Sequence, residues 1–237
     1  MKKFFVAFIL VIFALFFIVS CNYIPTNTLP ANTLSTENNR PNIIIDCGHG
    51  GEDGGAVSPK GLLEKDVNLY IGLSLRNFLI QSGFSVTMIR SDDKSLADEN
   101  KITLREKKVS DLHNRAKIVN SDKNNILISV HQNMFEDSRY FGAQVFYSDN
   151  NAYSKMLAEN IRSAFKGLLQ KDNERQCKAA SDSIYILKNS EVPSVLVECG
   201  FLSNPEEENK LHTQEYRDQL AFCIYAGFLE YYYQNYY

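Results

Sequence analysis

Four ionisable residues stand where short apolar runs end or where a helix should begin. His49 lies in IIIDCGHGGEDGGAV, a few residues past three consecutive isoleucines; His131 directly follows ILISV; Glu198 directly follows PSVLV. Glu64, in GLLEKDVNL, occupies an expected helix start, from which a carboxylate can aim back toward a sheet edge. A charge at a buried strand end is costly unless something pairs with it, and one divalent cation would pair with all four. Two imidazoles and a carboxylate are a zinc donor set that leaves a coordination position for water. Glycines 48, 50, 51, 54 and 55 then let the backbone adopt positive φ and leave room for substrate. The competing readings are plainer: a histidine after a strand is often a satisfied core residue, and Glu198 could pair with Arg90 or Arg115. It is the convergence of four such residues that favours a metal site. His113 and His212 sit among charged residues and read as surface histidines. The glycine loop lacks the spacing of a phosphate-binding motif, and Glu52 and Asp53 would repel phosphate.

The elements that must position these residues follow from periodicity. Residues 42–46 and 84–90 read as strands flanking a helix over 64–82, with Val67, Ile71, Leu75, Phe78 and Leu79 on one face. A second helix is expected over 103–120, a doubly buried strand over 125–130 and another strand over 143–147. Leu157, Ile161, Phe165 and Leu168 then mark a helix, followed by strands at 184–187 and 194–198 and a final helix over 216–232. This alternation predicts a single α/β domain: a largely parallel mixed sheet of about six strands with helices on both faces. In such sheets ligands gather beyond the carboxyl ends of the strands, where these residues fall. Asn133 could orient a ligand or cap its loop, while Arg115 and Asn120 read as structural.

Composition bounds the rest. The 237 residues carry a net charge of −3, and the pI is about 5.9, which argues against a nucleic-acid partner. At the N-terminus, Lys2 and Lys3 precede an uninterrupted apolar stretch over 4–19 that ends in Ser20 and Cys21, the pattern of an export signal. At ~1.5 Å per residue it spans about 25 Å, against a hydrocarbon core of about 30 Å. A cleaved signal, a short anchor and a lipobox with acylated Cys21 all fit residues 1–21. Residues 22–41 are rich in Asn, Thr and Pro and read as a tether, with the folded domain over 42–237. Cys47, Cys177, Cys199 and Cys223 form no CxxC pair; Cys47 and Cys199 read as small buried hydrophobes.

Together the segments IIIDCGHGGEDGGAV, LLEKDVNL, SVHQN and VPSVLVECGFLSNPEEE resemble the signature blocks of the zinc-dependent N-acetylmuramoyl-L-alanine amidases of bacterial cell walls, the Amidase_3 family. The resemblance extends over residues 42–235. Within the family, the sequence is most similar to the membrane-tethered form of endospore formers that prepares cortex peptidoglycan for muramic-δ-lactam formation. It implies that His49, Glu64 and His131 ligate Zn2+ and that Glu198 is the catalytic acid/base. It further implies a cut between N-acetylmuramic acid and L-alanine, with Glu198 passing a proton from water to the departing nitrogen. A site on the outer face of a bacterial membrane follows, in the forespore intermembrane space for the spore-cortex form. Cys47 departs from the family's usual proline, which would bring a thiol near the metal and a redox-sensitive site.

Two rival readings keep the same residues: a catalytically weak peptidoglycan-binding scaffold, and a zinc peptidase cutting within the stem peptide. The short loop over 132–142 leaves no room for an inserted inhibitory helix. Control is therefore expected from timing of expression or from a separate protein partner that helps to order the metal loop. The tyrosine-rich C-terminal end reads either as a contact surface for a partner or glycan or, as expected here, as a helix that packs on the sheet with its last residues frayed.

Overall fold

Runs of β-branched residues with no polar alternation belong in strands covered on both sides, and Ile43, Ile44 and Ile45 are each at most 1% exposed in β1 (Asn42–Cys47). In the computed structural model, which describes residues 40–236, this strand is joined by β2 (Ser85–Met88), β3 (Asn125–Asn133), β4 (Gln144–Tyr147), β5 (Lys178–Ala179) and β6 (Ser194–Phe201). The six strands lie in the order β2-β1-β3-β6-β4-β5. β2, β1, β3 and β6 run parallel, while β4 is antiparallel to β6. The expected signal or anchor (1–21) and all but the last two residues of the tether (22–41) lie outside the described residues.

Among the described residues six helices cover the sheet: α1 (Glu64–Gln81), α2 (Leu104–Val119), α3 (Tyr153–Leu168), α4 (Tyr185–Lys188), α5 (Pro205–Leu211) and α6 (Gln214–Tyr236). Alternate strand positions divide the core. Ile43, Ile45, Ile126, Ile128, Val195 and Val197 pack in one cluster with α1, α3 and α6. The intervening Ile44, Leu127 and Leu196 pack with Val119 of α2 and Ile186 and Leu187 of α4. Full burial of each such side chain contributes about 1.5–3 kcal/mol.

Two expectations need correction. Residues 184–187 are not a strand: they contribute to the one-turn helix α4, which lays Ile186 and Leu187 on the sheet. A four-residue apolar run carries too little period to separate strand from buried helix. The remaining strand is instead β5, two exposed residues that pair with the end of β4. The helix α5 was also not anticipated, although Asn204 accepts from the amides of Glu206 and Glu207 and Pro205 opens the helix.

Candidate metal centre

β1, β3 and β6 lie side by side, so their carboxyl ends deliver side chains to one place. His131 and Glu198 are paired in register on β3 and β6, on the same face as Asp46, Ser129 and Leu196. The loop after β1 folds back over this end. Asn68, one turn beyond Glu64 on α1, donates to the Gly48 carbonyl. No side chain caps α1; the amides of Glu64 and Lys65 donate to the carbonyls of Ala56 and Gly54. The loop thereby satisfies helix donors that would otherwise be orphaned, and it sets Glu64 against His49.

Two buried arginines hold that loop from beneath. Arg90 donates to the carbonyls of Cys47, Gly48 and Lys65 at 2.7, 3.0 and 2.7 Å. Arg115 pairs with Asp46 at 2.6 Å and donates to the carbonyls of Cys47 and His49. Neither pairs with Glu198, which removes the structural-carboxylate reading of that residue.

Among the described residues, one ligand atom each from His49, Glu64 and His131 lies within 4.8 Å of the others. His49 Nε2 is 3.1 Å from Glu64 Oε2, and His131 Nδ1 is 2.9 Å from Glu64 Oε1. Glu64 is 4% exposed. Burial alone would raise its carboxyl, but the hydrogen bonds and charges of His131 and His49 hold it well below the usual carboxylate range. Its oxygens also accept from the amides of Ala56 and Gln132. Gly48 leaves space for the His131 ring, since a Cβ there would stand 2.2 Å from Cε1.

Glu198 shares a cleft of about 240 Å3 with His49 and His131. Its Oε2 is buried with no hydrogen-bond partner. Burial pushes its carboxyl up to about 7, against an opposing pull from His131. The donor set, the cradle for His131 and an orphaned carboxylate oxygen beside them fit a divalent metal ion with an adjacent proton carrier.

All four residues named from the sequence meet here. Residues that sequence reading did not assign to the site also touch it: Asp53, 2.9 Å from His49 Nδ1, and Asn68 and Gln132, which are hydrogen-bonded to each other behind Glu64. An acidic residue four positions after a loop histidine was the available signal for Asp53. His113 and His212 are exposed, as expected. The Cys47 thiol is fully buried, faces Gly72 of α1, and is pushed by burial up to about 12. It therefore behaves as a small buried hydrophobe and offers no thiolate to the site at neutral pH.

Comparison with known proteins gives the family of the chain. The model of the family described as N-acetylmuramoyl-L-alanine amidase, Amidase_3, matches residues 43–230. The germination-specific N-acetylmuramoyl-L-alanine amidase of Bacillus subtilis is 38% identical over 190 residues, covering 80% of this chain and 79% of that protein. The amidase LytC of the same bacterium is 32% identical over 218 residues, a match that spans 91% of this chain and 40% of LytC. The structure of the CwlD amidase from Clostridioides difficile in complex with the GerS lipoprotein superposes with a TM-score of 0.79 at 42% identity, covering 82% of this chain and 100% of that one. An N-acetylmuramoyl-L-alanine amidase from Clostridium difficile 630 superposes with a TM-score of 0.70 at 30% identity, over 84% of this chain and 100% of the other. With a family match over nearly the whole described domain and relatives of this similarity, the chain belongs to the Amidase_3 family of N-acetylmuramoyl-L-alanine amidases.

Proposed function

We propose that this peptidoglycan amidase is a zinc hydrolase that cleaves the amide between N-acetylmuramic acid and L-alanine in spore cortex, ahead of muramic-δ-lactam formation. The observation that carries the reading is the unpartnered Oε2 of Glu198 beside the His49, Glu64 and His131 cluster. Zinc held by His49, Glu64 and His131 would supply a Lewis acid for the amide carbonyl and lower the pKa of water toward about 7. The Glu198 carboxylate takes a proton from the attacking water and delivers it to the alanine nitrogen, which leaves as the neutral amine of an intact stem peptide. A carboxyl raised to about 7 suits both halves of that transfer near neutral pH. The cleft of about 240 Å3 above the sheet receives the muramoyl lactyl group.

The same reading places the domain outside a bacterial membrane, attached through residues 1–21 and spaced from it by 22–41. Among the described residues no helix is long and apolar enough to cross a membrane. The similarity to CwlD, solved with the GerS lipoprotein, supports a separate protein partner for this chain as well. Zinc analysis of the purified protein, with turnover of cortex peptidoglycan before and after chelation, tests the reading. It requires about one zinc per chain, loss of turnover on chelation and recovery on adding zinc back; turnover indifferent to chelation would refute it.

A further inference from the structure

We propose that Asp53 is a positioning residue of this centre, fixing which nitrogen of His49 faces the metal; the inference rests on the zinc reading above. The two histidines present opposite nitrogens to Glu64. His131 turns Nδ1 toward Oε1 at 2.9 Å, whereas His49 turns Nε2 toward Oε2 at 3.1 Å. A neutral imidazole that ligates through Nε2 carries its proton on Nδ1, and a partner for that N–H selects the tautomer and the ring orientation. Asp53 Oδ2 stands at this atom, 2.9 Å from His49 Nδ1.

Asp53 is itself fixed. Its Oδ1 accepts from the Gly55 amide at 3.1 Å, the Lys108 ammonium lies 3.3 Å from Oδ2, and paired backbone hydrogen bonds between Gly50 and Asp53 close the loop. His49 has particular need of such a hold. It is the only non-glycine residue with positive φ, 64°, among the described residues, a conformation most side chains avoid. A loop that places its ligand in the left-handed region needs an external contact to keep the ring turned toward Glu64, and Asp53 supplies one from four residues away.

The test uses the full chain with Asp53→Ala, Asp53→Asn and Asp53→Glu. Zinc affinity is compared above about pH 9, where the His49 proton no longer competes with the ion, by competition with a chromophoric chelator, and ligand geometry by the visible spectrum of the cobalt-substituted protein. Asp53→Ala should bind zinc roughly 10–100-fold more weakly, with a shifted cobalt spectrum and a metal-free melting temperature like that of the parent. Asp53→Asn, similar in size but uncharged, should fall between Ala and the parent, and Asp53→Glu should recover part of the affinity. Parental zinc affinity with an unchanged cobalt spectrum in Asp53→Ala overturns the proposal. If Asp53→Ala melts early without metal, Asp53→Asn decides, and parental affinity there overturns it. A parent chain that binds no zinc overturns the zinc reading and this inference together, whereas a parent that binds zinc without cleaving peptidoglycan overturns only the proposed function.

Discussion

At the scale of single residues, the proposed mechanism separates groups that hold charge from one that exchanges a proton. Glu198→Gln keeps the shape but removes the proposed base, so turnover of peptidoglycan should fall by ~10²–10⁴ while zinc content is unchanged. Parallel metal analysis and product assays check both halves. His49 adds a pH dependence. Burial disfavours its charged form, yet Asp53 and Glu64 outweigh burial and raise it to about 9 in the metal-free protein. Because it is raised, His49 keeps its proton at neutral pH, and only the neutral ring can ligate. Zinc uptake at pH 7 should therefore release a proton, and affinity should climb with pH until about 9. Calorimetry in buffers of different ionisation enthalpy measures this, and buffer-independent heats would contradict it. His49, His131 and Glu198 were legible because each follows an apolar run. Asp53 was not, since an aspartate among glycines reads equally well as a turn residue, and the contacts of Asn68 and Gln132 exist only once α1 meets β3.

Elements position these residues through close approaches and a few buried polar ties. Arg115 of α2 and Asp46 of β1 are both almost fully buried and joined at 2.6 Å. Burial raises the Asp46 carboxyl, but the Arg115 charge, aided by Ser129, leaves it lowered overall. A lowered carboxyl contributes stability above its unfolded pKa of about 3.9 and loses it as pH falls further. Arg115→Ala strands that charge and should cost about 3–5 kcal/mol in denaturant unfolding at pH 7, with the deficit shrinking in acid. Gly227 of α6 meets α3 backbone to backbone, a Cβ there lying 2.4 Å from the Ile161 Cα. Gly227→Ala should destabilise by about 1–3 kcal/mol, seen as a lower melting temperature without loss of zinc. Helix α2 starts and ends within one residue of its expected bounds, and the structure fixes its start by a capping box between Thr103 and Glu106. Residues 184–187 misled because Ile184, Ile186 and Leu187 pack beneath the sheet much as a strand would, and only tertiary contact decides the outcome.

At the scale of the whole molecule, the centre is a product of topology. β1, β3 and β6 are separated by long stretches of chain yet adjacent in the sheet, and the crossover after β1 returns through α1, which begins at Glu64. The apolar runs announced a parallel sheet, but no single segment announced its order. The most direct trial of the central claim is mass spectrometry of the products released from purified cortex peptidoglycan by the zinc-loaded chain. Intact stem peptides beginning with L-alanine, alongside muramic acid freed of peptide, are the predicted outcome. Fragments cut within the stem, or glycan that keeps all its peptides, would contradict it.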